Sequence, residues 1–335
     1  MQNFRRRVNL DRQNFVSYRR SNFTDPNSQQ ATCYLNSTNT ADALLKPILQ
    51  LQSEYANPAI EISSFKDLNL LHAQLNLYTI SSNPAGFAYP LKTQLLNLAN
   101  PSSSFAAAGV SGNSLASDSR YLDEAAYSFS SGRLQQSSPH NGVAAAYIWG
   151  YANSVPVAVA QNATPDQIAF SSFENDGNNS WSIASGTRDA GGITGTQSYN
   201  LANGAVSKSG LISTQTYTVS YWSKTGSAYA VTGSTGVKTG KTINGWTYIE
   251  HQVSGVSSVT VTGAGDIDEL RLYPRSGQMT SYVYTPLVGT SSVCDVSNKI
   301  SYYSYDSLGR VLYVKDQDGN IVKTYDYHFK QDQSN

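Results

Sequence analysis

Several stretches of the chain alternate apolar and polar residues at every second position, the period of a strand with one packed face rather than of an amphipathic helix. The last regular stretch, 302–329, shows it most clearly. Tyr303 and Tyr305, then Val311 and Tyr313, then Ile321, Lys323, Tyr325 and Tyr327 recur at two-residue intervals. Between these runs, Ser307-Leu308-Gly309 and Asp318-Gly319-Asn320 supply residues that accept positive φ, as hairpin turns require. A three-stranded meander is predicted.

From Tyr127 the same plan recurs in degenerate form. Gly132-Arg133-Leu134 matches Gly309-Arg310-Val311, Gly142 matches Gly319, and Tyr147 and Trp149 match Tyr325 and Tyr327. Phe129-Ser130 stands where the later copy has Tyr305-Asp306. Between the copies, 164–274 breaks into short alternating runs with the spacing of an antiparallel sandwich. In its central run Tyr217, Val219 and Tyr221 share one face while Thr218, Ser220 and Trp222 share the other, so both faces are expected to be covered.

The first 120 residues are less regular. Residues 1–40 are polar with no sustained period. A short helix interrupted by Pro47 is predicted over 41–55, and strands around Leu68, Leu70, Leu75 and Leu77 are closed by a turn at Asn83-Pro84-Ala85-Gly86. Residues 101–119, rich in Ser, Ala and Gly, read as a loop.

Composition supports an all-β reading. Charged residues are 14% of the 335, against about 25% in ordinary soluble domains, and Tyr reaches 23. The net charge of zero offers no global attraction for nucleic acid or an anionic membrane, and Arg5-Arg6-Arg7 reads as a solvated terminal segment. Cys33 and Cys294 lack the spacing of a zinc or redox motif, and a disulfide between them stays open. No run has the length of a membrane-spanning helix, and the N-terminus lacks the apolar core of a signal peptide.

Two families are resembled. The order Tyr-x-Tyr-Asp, Gly-Arg-Val, Asp-x-x-Gly-Asn, Tyr-Asp-Tyr in the terminal stretch resembles the YD repeat of RHS-type proteins. Residues 164–274 resemble jelly-roll carbohydrate-binding modules: Phe173-Glu174 near the start, Trp181 after an Asn/Gly loop, Tyr-x-Val-Ser-Tyr-Trp in the middle and Ile267-Asp268-Glu269-Leu270 in the last strand. Together they imply four segments: a β-rich region over 1–120, a degenerate YD-like hairpin over 121–160, a jelly-roll module over 161–276 and a YD meander with tail over 277–335. The flanking hairpins are expected to pair with each other, since each alone is too small and has edges to cover.

The implied role is a non-catalytic scaffold, extracellular or at the cell surface, presenting a module that binds a glycan or cell-surface polysaccharide. Further YD repeats of a longer protein are the other implied partner. The expectation is that the chain is a C-terminal piece, or a shortened relative, of a longer exported protein. Alternatives are a fragment of a polymorphic RHS toxin or its delivery shell, a structural spacer for protein partners, and a degenerate remnant.

Two candidate sites follow. Asp268 shares parity with Leu270 and Leu272 and is expected on the buried face, where an unpaired carboxylate is costly. The resemblance places a structural calcium ion at Glu174 and Asp268, and hard oxygen ligands suit that ion. The competing reading has Asp268 satisfied by backbone amides. For sugar, aromatic rings stack on pyranose faces, which nominates Tyr229, Trp246 and Trp222. The competing reading is that these rings, with Trp181, pack the core. His72, His140, His251 and His328 are scattered, HExxH and GxSxG are absent, and the acid pairs Asp123-Glu124 and Asp268-Glu269 should each point to opposite faces, so no enzyme is expected.

Overall fold

The computed structural model describes residues 16–22, 28–35, 59–66, 69–82, 85–111, 114–174 and 177–328. Every long element among them is a strand and the pairing is antiparallel throughout; the helical content is two single turns, Pro165–Gln167 and Leu201–Asn203. No helix among the described residues is long and apolar enough to cross a membrane. The helix predicted over 41–55 lies outside the described residues. The chain divides into two compact units between Val143 and Ala144, inside the segment that the sequence groups as one hairpin.

In the first unit, strands Val16–Asn22, Ser28–Leu35, Ala59–Lys66, Asn69–Ser82, Ala85–Ser102, Leu122–Ser130 and Arg133–Pro139 form one meander. The first two are a correction, because the polar segment 1–40 shows no strand period; pairing with neighbours makes them strands where their own pattern does not. Leu70, Ala73, Leu75 and Leu96 are buried together, as the Leu alternation leads one to expect. The loop read over 101–119 contains a small hairpin, Gly109–Ser111 with Ser114–Ala116. Asp118 pins this connection, taking Ala106 N at 3.2 Å and Arg120 Nε at 2.8 Å.

The second unit contains a strip. Strands Ala145–Gly150, Val155–Gln161, Gln278–Thr285, Gly289–Cys294, Ile300–Tyr305, Val311–Lys315 and Ile321–Thr324 pair in that order. The last three are the expected meander. Val155–Gln161 pairs with Gln278–Thr285, with Gln161 opposite Gln278, so the sandwich segment leaves the strip and returns to it at one place. This matches the expected pairing of the flanking segments.

One local device builds the strip's turns. Asp306 Oδ1 takes Leu308 N and Arg310 N, both at 2.9 Å, and Gly309 sits at φ 74°. Asp316 makes the same pair of bonds to Asp318 N and Asn320 N, with Gly319 at φ 87°. A third copy, Asp295 to Ser297 N and Lys299 N with Asn298 at φ 60°, carries Asn in place of Gly. An Asp side chain caps its own turn, and only Gly or Asn accepts the left-handed position without much cost. The degenerate copy differs. Ser131 and Gly132, at φ 48° and 78°, make a two-residue turn between Ser130 and Arg133.

The sandwich is built of two sheets. Tyr217–Ser223 is flanked by Trp246–Val253 and Asp266–Pro274 in the larger sheet, while Val206–Ser209 and Ser258–Thr262 centre the smaller. Their shared core holds Tyr217, Val219, Tyr221, Ile249, Leu270 and Leu272 against Val206, Val259 and Val261. The central strands of the larger sheet are covered on their other face too. Trp222, Trp246 and Tyr248 pack with Cys294, Ile300 and Tyr302 of the strip, and Phe170 and Tyr273 pack with Val157, Ala160 and Met279. Every residue of Tyr217–Ser223 is consequently buried, as the two-faced pattern led one to expect.

Candidate functional site

The chemistry concentrates on the last sandwich strand, Asp266–Pro274. Opposite it, Ser220 pairs with Arg271 and Trp222 with Asp268, so Tyr221 alone faces both Glu269 and Leu270. This is a β-bulge, and Glu269 adopts φ 52°, a conformation that a non-glycine residue takes only at a cost. The extra residue flips the alternation. Ile267, Leu270 and Leu272 all face the sandwich core, while Asp268 joins Trp222 on the face covered by the strip. Asp268 is buried as expected, but on the opposite face from the one that parity implies.

The bulge also corrects the reading that Asp268 and Glu269 diverge. Thr194 Oγ1 lies 3.3 Å from Asp268 Oδ2 and 2.9 Å from Glu269 Oε1. A hydroxyl has one proton to donate, so with both acids ionised one of these contacts joins two acceptors. Glu269 is compensated. Its Oε2 takes Ser281 Oγ at 2.6 Å and Arg271 Nη2 at 3.2 Å. Arg271 is fully enclosed and also donates to Cys294 O at 3.0 Å, Asp295 O at 3.2 Å and Asn298 Oδ1 at 3.1 Å, all on the strip.

Asp268 has no such cation. It accepts Thr194 N at 2.9 Å and Glu269 N at 2.7 Å, so the amide-satisfied reading describes part of what is there. Those amides do not balance the charge. Burial first, and the Glu269 charge second, raise the Asp268 carboxyl well above the usual carboxylate range, with Glu174 adding to the effect.

Glu174 reaches the same loop from the opposite side. Phe173, in the left-handed region at φ 59°, turns the chain so that Glu174 takes Thr196 N at 2.6 Å and Gln197 N at 2.7 Å. Gly195, at φ 63°, has no room for a Cβ because the Glu174 carboxylate fills that space. At Gly192 a Cβ would meet Thr194 O and Gln197 O at 2.5 Å and Asp268 Oδ2 at 2.6 Å. Three oxygens thus converge beside a bare Cα, with uncompensated negative charge. Oxygen is the donor type that a hard cation such as calcium takes. Among the described residues no three His, Cys, Asp or Glu side chains form a ligand group, so carbonyl oxygens would have to complete the shell.

The aromatic candidates for sugar are not displayed. Tyr229, Trp246 and Trp222 are 8%, 5% and 2% exposed. Tyr229 lies in the sandwich core with its hydroxyl 2.8 Å from Thr225 Oγ1, and Trp222 and Trp246 face the strip. Trp181 Nε1 donates to Leu270 O at 3.3 Å. None of these rings offers a stacking face, so the exposed platform that the sequence nominates is corrected to core.

The other chemistry-bearing residues stay apart. His251 Nδ1 is 3.0 Å from Ser234 Oγ and its Nε2 is 3.1 Å from the Tyr221 hydroxyl, while burial lowers its pKa. Asp123 is taken up by Lys92 and Gln94, each at 2.7 Å. Cys294 is a free, buried thiol; the Cys33 side chain lies outside the description. Sequence reasoning missed Thr194, Arg271 and Ser281. Two signals were available: an Arg inside the apolar run Leu270 to Leu272, and three glycines at 191, 192 and 195 flanking a Thr. No protein-family model and no curated protein matches this chain, so the site is read from its own geometry.

Proposed function

We propose that the chain is a non-catalytic scaffold of a secreted or cell-surface protein, in which a jelly-roll-type, carbohydrate-binding-like module is presented by a YD-type strip. The observation that carries this reading is the pairing of Gln161 with Gln278. It makes the sandwich an excursion from a continuous strip, and the strip then packs on one face of the larger sheet's central strands. A module held on two chain crossings and a packed face is presented in a fixed orientation.

A calcium ion would be held by Asp268 and Glu174 with the carbonyls of Thr194 and Gln197. Its contribution is charge: it would neutralise the surplus carboxylate beside Glu269 and fasten the 191–197 loop to the last strand. The partner is a glycan or surface polysaccharide, and further YD repeats would extend the strip.

Burial of Tyr229, Trp222 and Trp246 favours a second reading, a structural spacer that binds protein partners. Screening the full chain against a broad glycan array, with and without calcium, separates the two. Reproducible binding to one glycan class supports presentation of a lectin-like module. A blank array from folded protein favours the spacer.

A further inference from the structure

The neck where the chain enters and leaves the sandwich is tightly built. Asn162 Nδ2 donates to Ser276 O at 3.1 Å, Gly277 N donates to Pro274 O at 2.7 Å, and a Cβ on Gly277 would meet Gln161 O at 2.9 Å. Beside it opens a cleft of about 410 Å³ lined by Gln215, Thr216, Pro274, Arg275 and Ser276. It is shallow and largely open to solvent, so it would hold one edge of a ligand rather than enclose it. Arg275 N donates to Thr216 O at 2.9 Å, which ties the two walls together.

The lining carries one charge, the Arg275 guanidinium, and no carboxylate. Among the described residues that guanidinium has neither an ion-pair partner nor a hydrogen-bond acceptor. Gln215 is oriented from behind. Its Oε1 takes Gln167 Nε2 at 2.6 Å and the Tyr217 hydroxyl at 3.3 Å, which leaves the amide nitrogen as the unclaimed end. Thr216 and Ser276, which also line the cleft, carry hydroxyls that can donate as well.

A planar carboxylate matches the guanidinium fork better than a point-like anion does. The amide and hydroxyls suit the hydroxyl groups of a ring bearing that carboxylate. We propose that this cleft binds a carboxylate-bearing sugar, a uronic acid unit, with Arg275 as its ion-pair partner. The choice of a sugar rests on the glycan-presenting reading above; the anion site rests on the cleft.

Titration calorimetry of the full chain with trigalacturonic acid tests it, in buffer containing a chelator so that the cation site plays no part. Saturable binding is expected, weakened about tenfold or more by Arg275→Gln, as loss of a charged hydrogen bond implies, and weakened similarly when the sugar is methyl-esterified. Arg275 is exposed, so the variant should fold, and its melting curve checks this. Absence of binding overturns the proposal, as does equal affinity of the Arg275→Gln protein or of the ester. Acetate binding as tightly as the trimer overturns the sugar assignment, whatever the glycan array reports.

Discussion

Arg271 and Glu269, two residues apart on one strand, meet at 3.2 Å with their side chains 2% and 1% exposed. Positions two apart share a face of a strand, and the same guanidinium reaches three carbonyls of the strip. Removing one partner of a buried pair leaves an uncompensated charge, which typically costs about 3–5 kcal/mol. Arg271→Ala should lower the unfolding free energy of the full chain, read from urea denaturation, by an amount in that range. The double variant Glu269→Gln with Arg271→Met should lose less, because no buried charge is left behind.

Asp268 is the carboxylate that lacks a cation. In calcium-free buffer at neutral pH, Asp268→Asn should be no less stable than the parent, since it removes a carboxyl whose ionised form burial and Glu269 disfavour, at the expense of one acceptor. Calcium should raise the melting temperature of the parent and leave that of the variant unchanged. A parent melt that ignores calcium would mean that no calcium ion is held there.

Arg120 holds the Asp118 carboxyl far below the usual carboxylate range, chiefly through side-chain hydrogen bonding. A depressed folded pKa contributes stability that is present above the unfolded value, about 3.9, and is lost as pH falls toward the folded one. The protection factors of the Ala106 and Arg120 amides that bond Asp118, taken relative to the intrinsic exchange rate at each pH, should therefore fall below about pH 4. In Asp118→Asn they should already be lower at neutral pH and change less with acid.

How far these features could be read in advance differs from residue to residue. The Tyr and Val alternation after Ile300 and the glycines at 309 and 319 were plain in the sequence, because strand period and turn chemistry are local. The Asp295 turn was not, since Asn298 stands where the other copies have Gly. The bulge was hidden for a physical reason: bulges of this kind favour glycine, and a Glu there gives no warning that parity has changed. Counting alternate residues through it placed Asp268 on the wrong face. Arg271 stood out in an apolar run, but its partners Ser281, Cys294 and Asp295 belong to the strip and depend on docking. The rings at 222, 229 and 246 were assigned by residue type, which does not distinguish a stacking platform from a core.

The strip's turns test the Asp-capped device. A Cβ on Gly309 or Gly319 would meet nothing within 4 Å, so the cost of Ala there is conformational alone. Gly309→Ala and Gly319→Ala should each lose about 1–2 kcal/mol, read from denaturant midpoints, and Asn298→Gly should lose nothing.

Burial pushes the Cys294 thiol up to about 12 and seals it between sandwich and strip. In a Cys33→Ser background, a thiol reagent at pH 8 should label Cys294 only as fast as the protein opens. Labelling at the rate of a free thiol would mean that the two layers part readily.

The central claim is that strip and sandwich act as one body, so that the module is presented rather than tethered. Scanning calorimetry of the full chain, with amide exchange followed at Val219 in the sandwich and Val293 in the strip, tests this most directly. Both amides should be released in one transition, with Arg271→Ala lowering it for both. Separate transitions for the two, with Arg271→Ala affecting only one, would contradict it.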